Sequence, residues 1–326
     1  MKILVTGGAG FIGSCFIRYI LNKYNDYKII NLDALTYAGN IENLDDVKNN
    51  PNYVFVHGNI CDKKLVRELI SQVDCIVNFA AESHVDRSIT GPEIFIETNV
   101  QGTLNLLQCA KEQGIERYLQ VSTDEVYGTL GKTGYFYETT PICPNSPYSA
   151  SKASADLLVR AYYETYKLPV LTTRCSNNYG PYQYPEKLIP FFISKLLRGE
   201  KVPVYGDGLN VRDWLYVYDH CSAIDIVLHK GRIGEVYNIG GHNEKTNIEI
   251  TKLILSAMDK DESSIEYVKD RLGHDRRYAI SNDKIQNELG WQPSLTFEKG
   301  IKITIEWYLK NQNWIKNIEN KKLGVI

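Results

Sequence analysis

Residues 122–125, Ser-Thr-Asp-Glu, place two adjacent carboxyl groups beside hydroxyl groups. They directly follow a hydrophobic run, 118–121, that has the composition of a buried strand. Two neighbouring carboxyl groups held in opposite protonation states can serve one reaction as a general acid and a general base. The alternative for this stretch alone is a polar strand end that leads into a turn.

A glycine-rich loop, 6–13 (TGGAGFIG), precedes the first predicted helix. Gly7, Gly10 and Gly13 allow a tight turn, the close approach of a pyrophosphate and close packing of helix on strand. Asp33 lies 20 residues after Gly13, at the end of the next predicted strand, where a carboxylate can bind the 2′-hydroxyl of an adenosine ribose and repel a 2′-phosphate. The pattern predicts NAD rather than NADP, although glycines alone also fit a plain turn.

Tyr148 and Lys152 are four residues apart in a segment, PYSASK, that begins a predicted helix. This spacing puts both side chains on one helix face. A phenol has a pKa of about 10, and a nearby ammonium and a positive nicotinamide ring would lower it. Tyr148 would then take a proton from a substrate alcohol as a hydride leaves its carbon, while Lys152 would bind the nicotinamide ribose. The same spacing also occurs by chance in many helices.

The elements that must position these residues alternate between short apolar runs and longer amphipathic segments. The runs predict strands buried on both faces, at 3–6, 28–32, 53–56, 75–78, 118–122 and 170–174. The segments predict helices at 11–24, 63–71, 93–112 and 147–167, with another at 297–315. This alternation predicts an α/β fold, a doubly wound parallel sheet with helices on both sides.

We divide the chain near residue 175. Residues 1–175 are predicted to be the NAD-binding domain. Residues 176–326, with loops rich in Tyr, Pro and Asn, are predicted to be a smaller mixed α/β domain that binds substrate. The segment 214–240 is predicted to rejoin the first domain.

The composition excludes several classes of protein. A net charge of −2 argues against general binding of nucleic acid. The seven cysteines include no CxxC pair, which is typical of reduced thiols in a cytoplasmic protein. The six histidines lack metal-site spacing, so no metal is expected. We expect neither a signal peptide nor a membrane span, since no apolar run approaches about 18 residues.

The glycine loop, Tyr148 and Lys152 together resemble the extended short-chain dehydrogenase/reductase superfamily, which is built on a Rossmann domain. In that superfamily, a Ser or Thr at the end of the preceding strand completes the set, and Thr123 is the match. Six longer motifs resemble one member family, the dTDP-glucose 4,6-dehydratases, and they span essentially the whole chain. They are AAESHVDRSI (80–89), STDEVYG (122–128), PYSASK (147–152), RCSNNYGPYQYPEKLIP (174–190), YGDGLNVRDWLYV (205–217) and DRLGHDRRYAI (270–280).

This resemblance implies a hydro-lyase that uses NAD to convert dTDP-glucose into dTDP-4-keto-6-deoxyglucose and water. Oxidation at C4 makes the C5 proton acidic, the C6 hydroxyl leaves, and the hydride returns to C6. Glu125 would be the base at C5, Asp124 the acid at C6 and Tyr148 the base at C4, with Thr123 polarising the C4 oxygen. The product would feed deoxysugar synthesis, such as that of dTDP-rhamnose.

The resemblance also implies two sets of binding residues. The NAD site would comprise Gly7, Gly10, Phe11, Ile12, Gly13, Asp33, Leu35, Thr36, Asn59, Ile60, Ala80, Ala81, Ser83, Thr98 and Asn178, together with Tyr148 and Lys152. The nucleotide-sugar site would comprise Ser83, Thr123, Asn177, Lys187, Leu188, Pro203, Tyr205, Arg212, Asn247, Arg271 and His274. Arg212 and Arg271 suit a pyrophosphate because a guanidinium offers forked donors.

Some alternatives stay open. A UDP-sugar 4-epimerase does not need an acid–base pair of carboxyl groups. The substrate of a UDP-sugar decarboxylase has no C6 hydroxyl that could leave. A UDP-glucose 4,6-dehydratase would differ only in the nucleobase and its sugar. A non-catalytic NAD sensor would need the glycine loop but not the acid–base residues. The family is typically a homodimer joined by helices that correspond to 93–112 and 147–167, whose apolar residues also fit a core.

Overall fold

The computed structural model describes residues 1–270 and 274–322, and within them it contains two regions built around separate sheets. The strands are β1 (Lys2–Thr6), β2 (Lys28–Asp33), β3 (Tyr53–His57), β4 (Cys75–Asn78), β5 (Arg117–Thr123), β6 (Val170–Cys175), β7 (Asn177–Tyr179), β8 (Val202–Tyr205), β9 (Val211–Tyr216), β10 (Val236–Ile239), β11 (Glu244–Thr246) and β12 (Ile265–Val268). The α-helices are α1 (Phe11–Lys23), α2 (Lys63–Ile70), α3 (Val85–Thr90), α4 (Glu93–Phe95), α5 (Thr103–Gln113), α6 (Pro147–Tyr166), α7 (Leu188–Leu197), α8 (Val217–Lys230), α9 (Asn247–Ala257), α10 (Asp283–Leu289), α11 (Phe297–Lys310) and α12 (Gln312–Lys322).

The larger sheet has seven parallel strands in the order β10-β6-β5-β4-β1-β2-β3. The strand order reverses between β1 and β4, so the chain winds outward in both directions from this point. The predicted doubly wound parallel sheet is therefore confirmed. Ligands of such sheets bind outside the carboxyl ends of the strands at the reversal.

The second region combines two small sheets with helices. One sheet has the order β11-β9-β7, and β8 pairs with β12 in the other. Their apolar faces pack on α7, α9, α11 and α12 around Tyr179, Phe192, Ile254 and Phe297. Helix α8 packs on α1, and β10 joins the larger sheet. We therefore propose that residues 1–175 and 176–326 are the two domains, with 214–240 belonging to the first.

Two of the predicted helices are interrupted. The helix predicted at 93–112 contains a π-helical segment, Ile96–Gly102, between α4 and α5. The prediction of a single helix at 297–315 is wrong, because the helix is interrupted at Asn311 and forms α11 and α12. At Asn311 the backbone leaves the helical conformation, with a φ of −113° and a ψ of 40°, and the Asn311 side chain donates to the Trp307 carbonyl at 2.8 Å.

No helix in the described ranges is long and apolar enough to cross a membrane. In the same residues, no three His, Cys, Asp or Glu side chains are grouped so as to hold a metal ion. All seven cysteines are free thiols.

Candidate active site

A single cleft at the carboxyl ends of the larger sheet brings most of the predicted site residues together. From the predicted NAD set it is lined by Gly7, Gly10, Phe11, Ile12, Gly13, Asp33, Thr36, Asn59, Ile60, Ala80, Ala81, Ser83, Thr98, Tyr148, Lys152 and Asn178. From the catalytic and substrate sets it is also lined by Thr123, Asp124, Glu125, Asn177 and Lys187. Side chains that the sequence did not single out complete the wall, including Tyr37, Glu82, Gln183, Tyr184 and Glu186.

Two glycines of the loop lie so close to neighbouring backbone that a side chain would not fit. Gly7 has a φ of 70°, and a Cβ there would lie 2.7 Å from the Ala80 backbone. A Cβ at Gly13 would lie 2.4 Å from the Gly7 carbonyl oxygen. The Asp33 carboxylate at the end of β2 accepts from the backbone N–H groups of Ala9 and Leu35, each at 2.8 Å. Burial raises the pKa of Asp33 while these two hydrogen bonds oppose the rise.

The two adjacent carboxyl groups occupy different environments at the end of β5. A 3₁₀ turn, Asp124–Tyr127, begins there, and the Thr123 hydroxyl caps it by accepting from the Glu125 N–H at 3.3 Å. Asp124 is buried, and its Oδ2 has no hydrogen-bond partner among the described residues. Burial, followed by the charges of Glu125 and Asp213, raises the pKa of Asp124 well above its usual range. Among the two carboxyl groups, Asp124 therefore has an environment that favours the protonated form.

Helix α6 presents Tyr148 and Lys152 to the cleft. The helix starts with a capping box between Ser146 and Ser149, and Pro147 occupies its first turn. Both side chains are more than nine-tenths buried. Burial, followed by the charge of Glu125, raises the pKa of Tyr148, so the expected lowering is not found in the protein alone. The Lys152 ammonium instead donates to the Val121 carbonyl at 2.8 Å, on the neighbouring strand.

A buried ion pair fixes helix α6 on the sheet. Asp156, one turn beyond Lys152, accepts from Arg174 of β6 at 2.9 Å, and the two side chains are 2% and 6% exposed. Arg174 also donates to the Tyr127 hydroxyl at 2.9 Å, which joins the turn after Glu125 to the same anchor. This arrangement positions the helix face that carries Tyr148 and Lys152.

Replacing Asp156 with Asn is expected to lower the free energy of unfolding by about 3–5 kcal/mol, because the Arg174 charge would stay buried without its counter-ion. Denaturant unfolding of both proteins measures the difference. The matched control is Asp45→Asn, which breaks the Lys48–Asp45 pair at 2.9 Å whose side chains are each 59% exposed. That change is expected to cost at most about 1 kcal/mol. Equal effects of the two substitutions would contradict the proposed anchor.

An asparagine that the sequence analysis did not identify ties the cleft together. Asn99, in the π-helical segment, accepts from the Glu82 N–H at 2.8 Å and donates to the Glu82 carbonyl at 3.0 Å. It also donates to the Ser151 hydroxyl at 2.8 Å. Asn99 thus joins the loop after β4 to helix α6. Its only signal in the sequence is a polar residue within a helix that is otherwise expected to be regular.

Several predicted binding residues do not line the cleft. These are Leu35, Leu188, Pro203, Tyr205, Arg212, Asn247 and His274. The Leu35 backbone N–H donates to the Asp33 carboxylate at 2.8 Å. Arg212 points to the Asp275 carbonyl at 3.0 Å and packs on the Tyr278 ring at 4.4 Å. Arg271 lies outside the described residues, so its predicted role is not addressed.

The dinucleotide cradle, the buried Tyr148–Lys152 pair and the two carboxyl groups define an enzyme of the extended short-chain dehydrogenase/reductase class. The family model described as GDP-mannose 4,6 dehydratase matches residues 4–304. The chain is 56% identical to a dTDP-glucose 4,6-dehydratase of Xanthomonas campestris pv. campestris (strain B100), covering 97% of this chain and 95% of the relative. The chain therefore belongs to the dTDP-glucose 4,6-dehydratase family, and the resemblance identified in the sequence is confirmed.

Solved structures give the same result. DesIV, a dTDP-glucose 4,6-dehydratase from Streptomyces venezuelae crystallised with NAD, matches with a TM-score of 0.96 and 53% identity, covering 98% of this chain and 100% of that chain. The dTDP-glucose 4,6-dehydratase from Bacillus anthracis in complex with NAD matches with a TM-score of 0.92 and 58% identity, covering 98% and 99%.

Proposed function

We propose that the protein is a hydro-lyase that uses NAD to convert dTDP-glucose into dTDP-4-keto-6-deoxyglucose and water. The observation that carries this proposal is the placement of Asp124 and Glu125 in the same cleft as Tyr148. An enzyme that only moved a hydride would use Tyr148, Thr123 and Lys152 and would have no task for the carboxyl groups.

Tyr148 is the base that takes the proton of the C4 hydroxyl, and Thr123 polarises the C4 oxygen. When bound, NAD accepts the hydride from C4 and later supplies it to C6, and its positive ring favours the Tyr148 phenolate. Lys152 adds positive charge on the same helix face. Tyr148 is only 8% exposed, so little bulk water reaches the base.

The elimination uses the two carboxyl groups in opposite protonation states. Once C4 is a ketone, removal of the C5 proton gives an enolate, and Glu125 is the base that takes this proton. Asp124, whose pKa is raised by burial, donates a proton to the C6 oxygen, which leaves as water while the C5–C6 double bond forms. The hydride then adds to C6 and Glu125 returns its proton to C5. The proton that Tyr148 took from the C4 hydroxyl balances the one that Asp124 gave to the water. Each proton transfer contributes roughly 10²–10⁴-fold to the rate.

The turnover number is expected to fall as the pH rises through the raised pKa of Asp124. This acid works only while it is protonated, and burial moves its loss of the proton above the usual range of an aspartic acid. Measuring kcat against pH for the wild type and for Asp124→Asn checks this, since an amide does not titrate. The residual activity of the variant should lack the alkaline fall. The same fall in the variant would show that another group titrates.

Product analysis tests the proposed activity directly. Incubation with dTDP-glucose should release water and form a 4-keto sugar, detected by its absorbance in alkali. Inversion at C4 would identify an epimerase, and release of CO₂ from a carboxylated sugar would identify a decarboxylase. Tight binding of NAD without turnover of any nucleotide sugar would support a sensor.

The nucleobase is tested by parallel reactions with dTDP-glucose and UDP-glucose. The two nucleotides differ by one methyl group and one ribose hydroxyl, and a difference the size of a methylene group is worth only about 1–3 kcal/mol of discrimination. We propose that dTDP-glucose is preferred, since the relatives described above carry that name. Faster turnover of UDP-glucose at equal concentration would reverse the assignment.

We propose that the protein acts in the cytoplasm as a homodimer. The seven free thiols fit a reducing compartment. Large apolar side chains are exposed along the neighbouring segments 93–113 and α6, including Ile94 at 44%, Leu104 at 41% and Leu157 at 55%. Such a patch marks an interface between subunits. Sedimentation should give a dimer for the wild type and a monomer for Leu157→Arg, whereas a monomeric wild type would contradict the proposal.

A further inference from the structure

Helix α12 lies beyond residue 304, where the match to the family model ends, and none of the predicted site residues belongs to it. Its apolar side chains Trp314, Ile315 and Ile318 are buried in the core of the second region. However, the Trp314 indole N–H donates to the Asn43 Oδ1 at 2.9 Å, across 271 residues of sequence. The C-terminal helix therefore contacts the segment that follows β2 in the first region.

Asn43 extends this contact to the glycine loop. Its side-chain amide donates to the Ala9 carbonyl at 2.9 Å, and the Asn40 N–H donates to the same carbonyl at 3.0 Å. The Ala9 N–H in turn donates to the Asp33 Oδ2 at 2.8 Å. A continuous series of buried hydrogen bonds thus runs from Trp314 through Asn43 and Ala9 to the predicted ribose-binding carboxylate.

Other contacts of α12 hold the same segment in place. Lys321 donates to the Asn40 Oδ1 at 2.9 Å and to the Glu42 Oε1 at 3.1 Å. Asn317 donates to the Glu42 Oε2 at 3.0 Å. The segment therefore meets the helix at both ends of the 3₁₀ turn Ile41–Leu44.

From this geometry we propose that α12 is a clasp that positions the glycine loop and retains NAD between turnovers, with Trp314 as a positioning residue. The proposal depends on the proposed NAD-dependent reaction. That reaction leaves NAD unchanged at the end of each cycle, so NAD that stays bound can serve the next cycle without having to bind again. Glycines leave the loop free to change conformation, so the Ala9 carbonyl needs partners from outside the loop.

The test is the rate at which bound NAD leaves the purified protein, followed by exchange with labelled NAD. Trp314→Phe keeps the aromatic ring and removes the donor to Asn43. The loss of this one buried hydrogen bond is expected to make the release of NAD roughly two- to tenfold faster. The KM for NAD is expected to rise more than kcat falls, because the catalytic side chains are untouched.

Trp307→Phe is the matched control. The Trp307 ring packs on Tyr182 with centroids 4.5 Å apart and on Trp314 at 5.3 Å, within the same aromatic cluster. Among the described residues its indole nitrogen has no hydrogen-bond partner, so this variant should release NAD at the wild-type rate. Equal release rates for Trp307→Phe and Trp314→Phe would overturn the clasp.

A second variant, Lys321→Gln, tests the proposal even if Trp314→Phe does not fold. The Lys321 side chain is 41% exposed, and the substitution weakens only the contacts to Asn40 and Glu42. NAD release should again be faster than in the wild type, and an unchanged rate would refute the proposal. A wild-type protein that binds no NAD would instead refute the proposed function.

Discussion

Glu125→Gln is expected to stop dehydration while oxidation at C4 continues. The amide cannot take the C5 proton, so product formation should fall by roughly 10²–10⁴-fold. Tyr148, Thr123 and Lys152 are unchanged, so substrate should still reduce the bound NAD. The readouts are keto-sugar formation and the near-ultraviolet absorbance of NADH, which should accumulate in the variant after substrate is added.

Glu116→Gln is the control for this prediction. Glu116 is exposed and directly precedes β5, whereas Glu125 follows the other end of the same strand. The control should dehydrate the substrate at the wild-type rate. Full activity of Glu125→Gln would remove Glu125 from the role of base at C5.

Tyr148→Phe is expected to block the reaction one step earlier. Without the phenol no group takes the C4 hydroxyl proton, so neither NADH nor the keto sugar should form, and turnover should fall by roughly 10²–10⁴-fold. Rapid mixing of the NAD-loaded variant with dTDP-glucose, followed by absorbance, measures this. The absence of NADH distinguishes this variant from Glu125→Gln.

The control on the same helix is Tyr166→Phe. Tyr166 is 52% exposed at the end of α6 that is remote from the cleft, so loss of its hydroxyl should leave turnover unchanged. If Tyr148→Phe still reduced NAD at the wild-type rate, another group would have to be the base at C4.

The sequence was informative where function depends on local order. The glycine loop follows β1, and Asp33 and residues 122–125 lie at the ends of β2 and β5. Parallel strands bring their carboxyl ends to one edge of the sheet. The spacing of Tyr148 and Lys152 set their shared helix face. These groups can be predicted from the sequence because a few neighbouring residues determine their positions.

The sequence was less informative where distant segments meet. The pKa of Tyr148 depends on its burial and on Glu125, and the residue spacing shows neither. Arg212 of β9 packs on the ring of Tyr278, which lies more than 60 residues further along the chain. The hydrogen bond from Trp314 to Asn43 joins segments that are 271 residues apart, and no periodicity of the sequence indicates such a pair.

A crystal structure of Glu125→Gln with NAD and dTDP-glucose most directly tests whether oxidation and elimination act on one hexose in this cleft. We expect the C4 oxygen within about 3.2 Å of the Tyr148 hydroxyl and the C6 oxygen within the same distance of the Asp124 carboxyl group. The side chain at position 125 should face C5. A hexose bound at Tyr148 with the side chains at 124 and 125 both directed away from it would contradict the account.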